Sequence, residues 1–275
     1  MTVDPASILV RDQWLDHPGG RLFSRRWSPP SAGLGAVHGS PILLLHDSLG
    51  CVALWRDFPE QLCAATGREV LAYDRLGYGQ SDPQRDPPTL DFIADEARVM
   101  LPLLRQQLGL LRFVALGHSV GGGMAAHMAA EAGQACEAVV TLAAQAFVED
   151  RTLQGLQAAR LQFADPQALE RLARYHGDKA GWVLAAWLDT WLDPRFAGWT
   201  LAPALHRIAC PLLALHGDQD EYGSPQHPLL IQQQAAGAAQ AELLPGVGHL
   251  PHRECAQRVV GRIVQFLHTT GGAGC

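Results

Sequence analysis

Residues Gly117-His118-Ser119-Val120-Gly121 have the G-x-S-x-G spacing of a nucleophilic serine held on a sharp turn. The apolar run Leu110–Leu116 before them reads as a buried strand, and the run Gly122–Ala130 behind them, small residues and helix formers, reads as a helix. Strand, turn and helix in that order raise the serine oxygen above a sheet. Glycines two places to either side keep Cβ atoms out of a crowded turn. The following helix aims its unpaired N–H groups at the place where negative charge would develop. A serine hydroxyl is a weak nucleophile at neutral pH and needs a base, itself oriented by a third group. Candidates follow in chain order, each just past an apolar strand. Pro211–His216 leads into Gly217-Asp218-Gln219-Asp220, and Ala241–Leu244 leads into Pro245-Gly246-Val247-Gly248-His249. Ser119, Asp220 and His249 are the set whose chemistry would be acyl transfer.

Three motifs (G-H-S-V-G-G from Gly117, G-D-Q-D from Gly217 and G-V-G-H from Gly246) make the chain resemble the α/β-hydrolase superfamily. Two further segments support the resemblance: His46-Asp47-Ser48-Leu49-Gly50 after the strand Ile42–Leu45, and Asp74-Arg75-Leu76-Gly77-Tyr78-Gly79-Gln80-Ser81. The second is similar to the family's D-x-R-G-x-G-x-S loop with the arginine one place early. Together they span residues 40–255.

By position, the resemblance implies that Ser119 attacks a carbonyl carbon, His249 carries the proton and Asp220 orients the imidazole. The family's acid lies three residues after the turn glycine, which selects Asp220 over Asp218; Asp218 is expected to bond its own turn. His252 is the alternative base, placed at the start of the last helix. His118 adjoins Ser119, but strand alternation points their side chains apart, so a packing or hydrogen-bonding role is expected for it. The oxyanion donors are expected to be the backbone N–H groups of Val120 and, by match to the family's H-G-x-G, Ser48. Asp47 stands where that motif has glycine.

Length and composition agree. A chain of 275 residues suits one α/β domain with an insertion, and a hydrophobic content of 48 % supplies a large core. The balance of 21 basic against 27 acidic residues, net −6, shows no basic patch for nucleic acid. No run approaches the roughly 18 apolar residues of a membrane span. The N-terminal residues lack the pattern of a signal peptide. Six scattered cysteines without a C-x-x-C pair suggest reduced thiols in a cytoplasmic protein. The twelve histidines show no H-E-x-x-H or Cys/His ligand spacing, so no metal is expected. No phosphate loop or complete G-x-G-x-x-G is present, and the chemistry requires no cofactor.

Along the chain, apolar and helical segments alternate as in a mostly parallel twisted sheet covered by helices on both faces. Strands are expected at 7–15, 20–28, 41–46, 69–74, 111–117, 137–143, 211–216 and 240–244, with a loop at 31–40. Helices are expected at 55–66, 89–108 (bent or shortened by Pro102), 120–132, 226–236 and 252–268, before a frayed tail at 271–275. The rhythm breaks at 146–203, an all-helical stretch with interruptions near Asp165-Pro166, Gly177-Asp178 and Asp193-Pro194. The domains expected are therefore a core of 1–145 and 204–275 and, as the resemblance implies, a helical cap of 146–203 inserted after the sixth strand. Four of the seven tryptophans, Trp182, Trp187, Trp191 and Trp199, lie in that stretch. Leu184, Trp187, Leu188, Trp191 and Leu192 fall at helical spacing on one apolar face, which either fixes the cap to the core or lines a pocket. Phe147, Val148, Trp187 and Trp191 are the expected lining residues.

The function expected is a serine hydrolase acting through an acyl-enzyme on small carboxylic esters with an apolar portion. The partner is a small-molecule ester, with neither nucleic acid nor membrane; oligomeric state is open. Carbon–carbon bond hydrolysis in aromatic-ring degradation, perhydrolysis and acyl transfer use similar triads and stay open. A non-catalytic small-molecule receptor on the same fold is the alternative of another class.

Overall fold

In the computed structural model, residues 8–30 and 39–271 are described. The first residues of the chain, most of the expected 31–40 loop and the tail beyond Gly271, with Cys275, fall outside them. Eight strands form one sheet: β1 (Leu9–His17), β2 (Gly20–Ser28), β3 (Ile42–Leu45), β4 (Val70–Tyr73), β5 (Phe113–His118), β6 (Cys136–Leu142), β7 (Leu212–Gly217) and β8 (Ala239–Leu244). Their spatial order is β1-β2-β4-β3-β5-β6-β7-β8. The β1–β2 hairpin turns at Pro18-Gly19, and β2 joins β4 antiparallel; every pairing from β4 to β8 is parallel.

Helices cover both faces. In chain order they are α1 (Phe58–Thr66), α2 (Phe92–Leu108), α3 (Val120–Ala132), α4 (Asp150–Gln162), α5 (Pro166–His176), α6 (Ala180–Trp191), α7 (Ala202–Leu205), α8 (Gln226–Gln234), α9 (Pro251–Glu254) and α10 (Ala256–Gly271). The period-2 alternation of strand side chains divides the core in two. Leu43, Leu71, Ala115 and Val139 pack with Met100, Leu104 and Met124 of α2 and α3 on one face. Leu44, Val70, Val114 and Val140 pack with Leu62, Val259 and Ile263 of α1 and α10 on the other. Strands buried on both sides require unbroken apolar sequence, hence Ile42-Leu43-Leu44-Leu45, all buried.

Strand order reverses beside β3. The connection from β3 to β4 runs through α1 on one face, and that from β4 to β5 runs through α2 on the other. The carboxyl ends of β3 and β5 therefore flank a topological switch point, where parallel sheets open a crevice for ligands. The loops holding Ser48 and Ser119 follow those two strands.

Several boundaries differ from expectation for local reasons. The helix expected at 55–66 begins at Phe58, with Pro59 in its first turn, because Arg56 (φ +54°) breaks it from a short 3-10 turn at Val52–Trp55. The helix expected at 252–268 is two, separated at Cys255 (φ −144°, ψ 49°). Pro102 lies inside α2 without ending it. Between β6 and β7 the chain is helical, and Asp165 and Asp193 accept backbone N–H bonds from Gln167 and Arg195 to start new turns, each ahead of a proline.

Candidate active site

Ser119 sits between β5 and α3 at φ +54°, ψ −125°, a conformation that costs about 1–3 kcal/mol for a residue with a side chain. Two bonds hold it there: its N–H donates to Leu142 O (2.8 Å), and its own carbonyl accepts from Gly122 N (2.8 Å). The flanking glycines are required by contact. A Cβ on Gly117 would lie 1.9 Å from Gly121 O, and one on Gly121 would lie 2.1 Å from Leu45 O. The elbow is thus pressed against the end of β3, which brings the Ser48 loop beside the serine.

The residues expected to act together converge. His249 Nε2 is 3.0 Å from Ser119 Oγ, and its Nδ1 is 2.8 and 2.9 Å from the two carboxylate oxygens of Asp220. Asp220 is buried in the turn after β7, where Oδ1 also accepts the N–H groups of Tyr222 (2.8 Å) and Gly223 (3.2 Å). Burial alone would raise the pKa of Asp220, but hydrogen bonding and charge from His249 outweigh it and hold the carboxyl below its usual range. Burial likewise pushes His249 down, yet the bond to Asp220 and its charge leave the imidazole above its ordinary value. A base made more basic by an adjacent anion suits proton removal from a hydroxyl.

Asp218 lies on the other side of the turn. Its Oδ1 accepts Gly246 N–H (2.7 Å), tying the turns after β7 and β8 together. His252 is buried among Trp55, Phe58 and His118, with ring centroids 4.9, 5.7 and 4.6 Å away, and makes no contact with Ser119. His118 faces away from the serine: Nε2 donates to the backbone carbonyl of His249 (2.7 Å), and Nδ1 lies 3.1 Å from Asp47 Oδ2. Burial would raise the Asp47 carboxyl, but the His118 bond and charge hold it well below its usual range. Asp47, which stands where the family motif has glycine, therefore ties the Ser48 loop to the His249 loop.

Ser48 borders the cavity above Ser119. Its N–H and that of Val120 donate to no acceptor among the described residues. The cavity holds about 280 Å³, at the lower end of clefts that take small organic molecules (roughly 300–1,000 Å³). Trp187 and Trp191 line it, with Leu156 of α4. Phe147 and Val148 do not, correcting the expectation for them. Residue 147 bridges to Thr200, and its ring turns onto His227 at 4.6 Å. Trp182 and Trp199 serve packing: Trp182 covers Gly77 and meets Tyr78, and Trp199 stacks on Phe196.

Several residues at the site carry no motif. Tyr222 packs on His249 at 4.8 Å, and Gln145 reaches within 3.4 Å of Ser119 Oγ. Thr152 Oγ1 donates to Tyr222 O (2.7 Å) and Arg151 to Asp220 O (3.2 Å), fastening α4 to the acid turn. Only tertiary packing places these side chains, so no spacing rule could have found them. No helix among the described residues is long and apolar enough to cross a membrane.

Comparison with known proteins agrees with this fold. A proline iminopeptidase of Lactobacillus delbrueckii subsp. lactis is 34 % identical over 90 residues, covering 33 % of this chain and 31 % of that protein. The chain therefore matches about a third of that relative's length. A dihydrolipoyllysine-residue acetyltransferase component of the acetoin cleaving system from Pseudomonas putida is 27 % identical over 269 residues, covering 90 % of this chain and 67 % of its own. Among solved structures, proline iminopeptidase of Mycobacterium smegmatis superposes with a TM-score of 0.71 at 20 % identity, covering 94 % of this chain and 98 % of the other. The Bacillus subtilis carboxylesterase CesB does so with a TM-score of 0.69 at 19 % identity, covering 94 % and 92 %. At such identities the structural likeness speaks for the fold. The sequence pattern described as the alpha/beta hydrolase fold matches residues 40–187, more than half of the chain, and the protein belongs to that family.

Proposed function

We propose that the protein is a serine hydrolase that cleaves small carboxylic esters with an apolar portion through an acyl-enzyme on Ser119. The observation that carries this reading is the imidazole of His249 lying 3.0 Å from Ser119 Oγ and 2.8 Å from the Asp220 carboxylate. Ser119 Oγ bonds to the ester carbonyl carbon as His249 Nε2 takes the hydroxyl proton, and the carbonyl oxygen gains the negative charge. The N–H groups of Val120 and Ser48 face that oxygen. Collapse breaks the bond to the alkoxy oxygen, which leaves with the proton from His249. Water then repeats the sequence: His249 takes its proton, its oxygen bonds to the acyl carbon, and Ser119 recovers its proton as the acid departs. Asp220 holds the Nδ1–H tautomer and balances the imidazolium charge in both halves. Walls of Trp187, Trp191 and Leu156 support an apolar acyl or alcohol group, and the 280 Å³ cavity supports a small one.

The test is hydrolysis of p-nitrophenyl esters from acetate to decanoate, with a dienol-ketone acid run alongside. Ester turnover favouring short and medium chains is expected, with kcat reduced about 10⁴- to 10⁶-fold in Ser119→Ala. Unchanged turnover in that variant would remove Ser119 from the reaction. Preference for the dienol-ketone acid would assign the triad to carbon–carbon cleavage instead.

A further inference from the structure

Arg75, which directly follows Asp74 in the loop after β4, is 5 % exposed, and its guanidinium meets no carboxylate within ion-pair distance among the described residues. Its contacts converge on the loop after β3. The backbone N–H and Nε of Arg75 approach His46 Nε2 at 3.2 and 3.3 Å. The face of the guanidinium lies over the Tyr78 ring at 4.2 Å, and NH1 is 3.5 Å from Met124 Sδ. The shortest contact is from NH2 to the carbonyl oxygen of Asp47, at 2.6 Å. Because His46 Nε2 accepts from Arg75, its proton is on Nδ1, which donates to the same Asp47 oxygen at 2.8 Å.

That carbonyl shares its peptide with the N–H of Ser48. The bond is trans, so C=O and N–H point in opposite directions. Fixing the oxygen on Arg75 and His46 fixes the direction in which Ser48 N–H emerges. A cation on the oxygen also draws electron density through the amide and strengthens the N–H as a donor, and the effect is large where little water screens it. We propose that Arg75 is the positioning residue of the oxyanion site: its buried cation orients and polarises the Asp47–Ser48 peptide, so that Ser48 N–H is set for the charge that develops on the substrate oxygen. This rests on the reading of Ser48 and Val120 as oxyanion donors. The arginine stands one place early relative to the family loop, and the peptide it grips is the one where aspartate replaces glycine. The two departures belong to one device.

The test compares wild type, Arg75→Gln and Arg75→Lys in three readouts: kcat and KM on p-nitrophenyl butyrate, and affinity for an aryl trifluoromethyl ketone. The ketone carbon bonds to Ser119 Oγ and so creates the oxyanion; the matching secondary alcohol cannot. In Arg75→Gln, kcat is expected to fall about 10- to 100-fold, short of the 10²–10³ typical when a donor is lost, and ketone affinity by the same factor. KM and alcohol affinity should stay within about twofold, since neither ground state carries the charge. Arg75→Lys keeps a cation and should recover part of both losses. If Arg75→Gln does not fold, Arg75→Lys carries the same comparison: equal factors in kcat and ketone affinity support the proposal, and unequal factors overturn it. Wild type that binds ketone no tighter than alcohol has no oxyanion site, and both readings fall. Tight ketone binding that survives intact in a folded Arg75→Gln overturns the role of Arg75 alone.

Discussion

Replacing Asp220 by asparagine changes one atom and should disable the base through its tautomer. Oδ1 of Asp220 accepts the N–H groups of Tyr222 and Gly223, so an asparagine there keeps its oxygen on that side. Its NH₂ then occupies the site of Oδ2, 2.8 Å from His249 Nδ1 and 3.3 Å from His216 Nε2. Nδ1–H would then face the amide N–H at 2.8 Å and keep only Oδ1, 2.9 Å away and already accepting two backbone N–H groups, which favours moving the imidazole proton to Nε2. There it donates to Ser119 Oγ and can no longer take the serine's proton. The wrong tautomer in such a triad lowers kcat by about 10⁴, roughly 5 kcal/mol in the barrier. Asp218→Asn is the control. Its Oδ1 still accepts Gly246 N–H, so kcat/KM on p-nitrophenyl butyrate should change by less than about threefold, the scale of a surface substitution. Thermal melting of both variants separates loss of chemistry from loss of fold. Equal losses, or a larger loss in Asp218→Asn, would refute the assignment of the acid and the tautomer argument with it.

Three further outcomes follow from the same geometry. The base works only when neutral, and Asp220 holds the pKa of His249 above its ordinary 6.5. In a titration of kcat/KM, activity should therefore be low at acid pH and rise through a midpoint above 6.5; a midpoint well below that would contradict the coupling. Gly121→Ala would put a Cβ 2.1 Å from Leu45 O and 2.6 Å from His46 O, forcing the elbow away from β3. It should cost about 1–3 kcal/mol in stability, read by urea unfolding, together with most of the activity, and a neutral result would show that the elbow has room to spare. Trp187→Ala should raise KM for the longer esters about tenfold or more while leaving acetate nearly unchanged, since the indole lines the cavity and packs on Tyr222. An equal effect across the series would remove Trp187 from acyl recognition.

The parts of the fold readable in the sequence were those encoded by period. Strands buried on both faces leave continuous apolar runs, and the helices between them leave 3.6-residue stripes, so the order of elements and the Ser119, Asp220, His249 sequence of turns could be read off. Boundaries depended on single residues whose backbone state no pattern announces, such as Arg56 at positive φ and Cys255 between α9 and α10. Phe147 illustrates a different limit: its position beyond β6 was evident, but a bridge to Thr200, 53 residues on, decided that its ring turns from the cavity. The ties from Asp47 through His118 to His249, and from Arg75 to the Asp47 carbonyl, join residues far apart in the chain, and only the assembled sheet brings them within reach.

The central claim is that Ser119 is a nucleophile made reactive by His249. Its most direct measurement is labelling of the folded protein with a fluorophosphonate, followed by peptide mapping and the labelling rate in His249→Ala. The expected result is a single phosphonyl adduct on Ser119, formed about 10³-fold or more slowly in the variant. An adduct elsewhere, no adduct on folded protein, or a rate indifferent to His249 would contradict it.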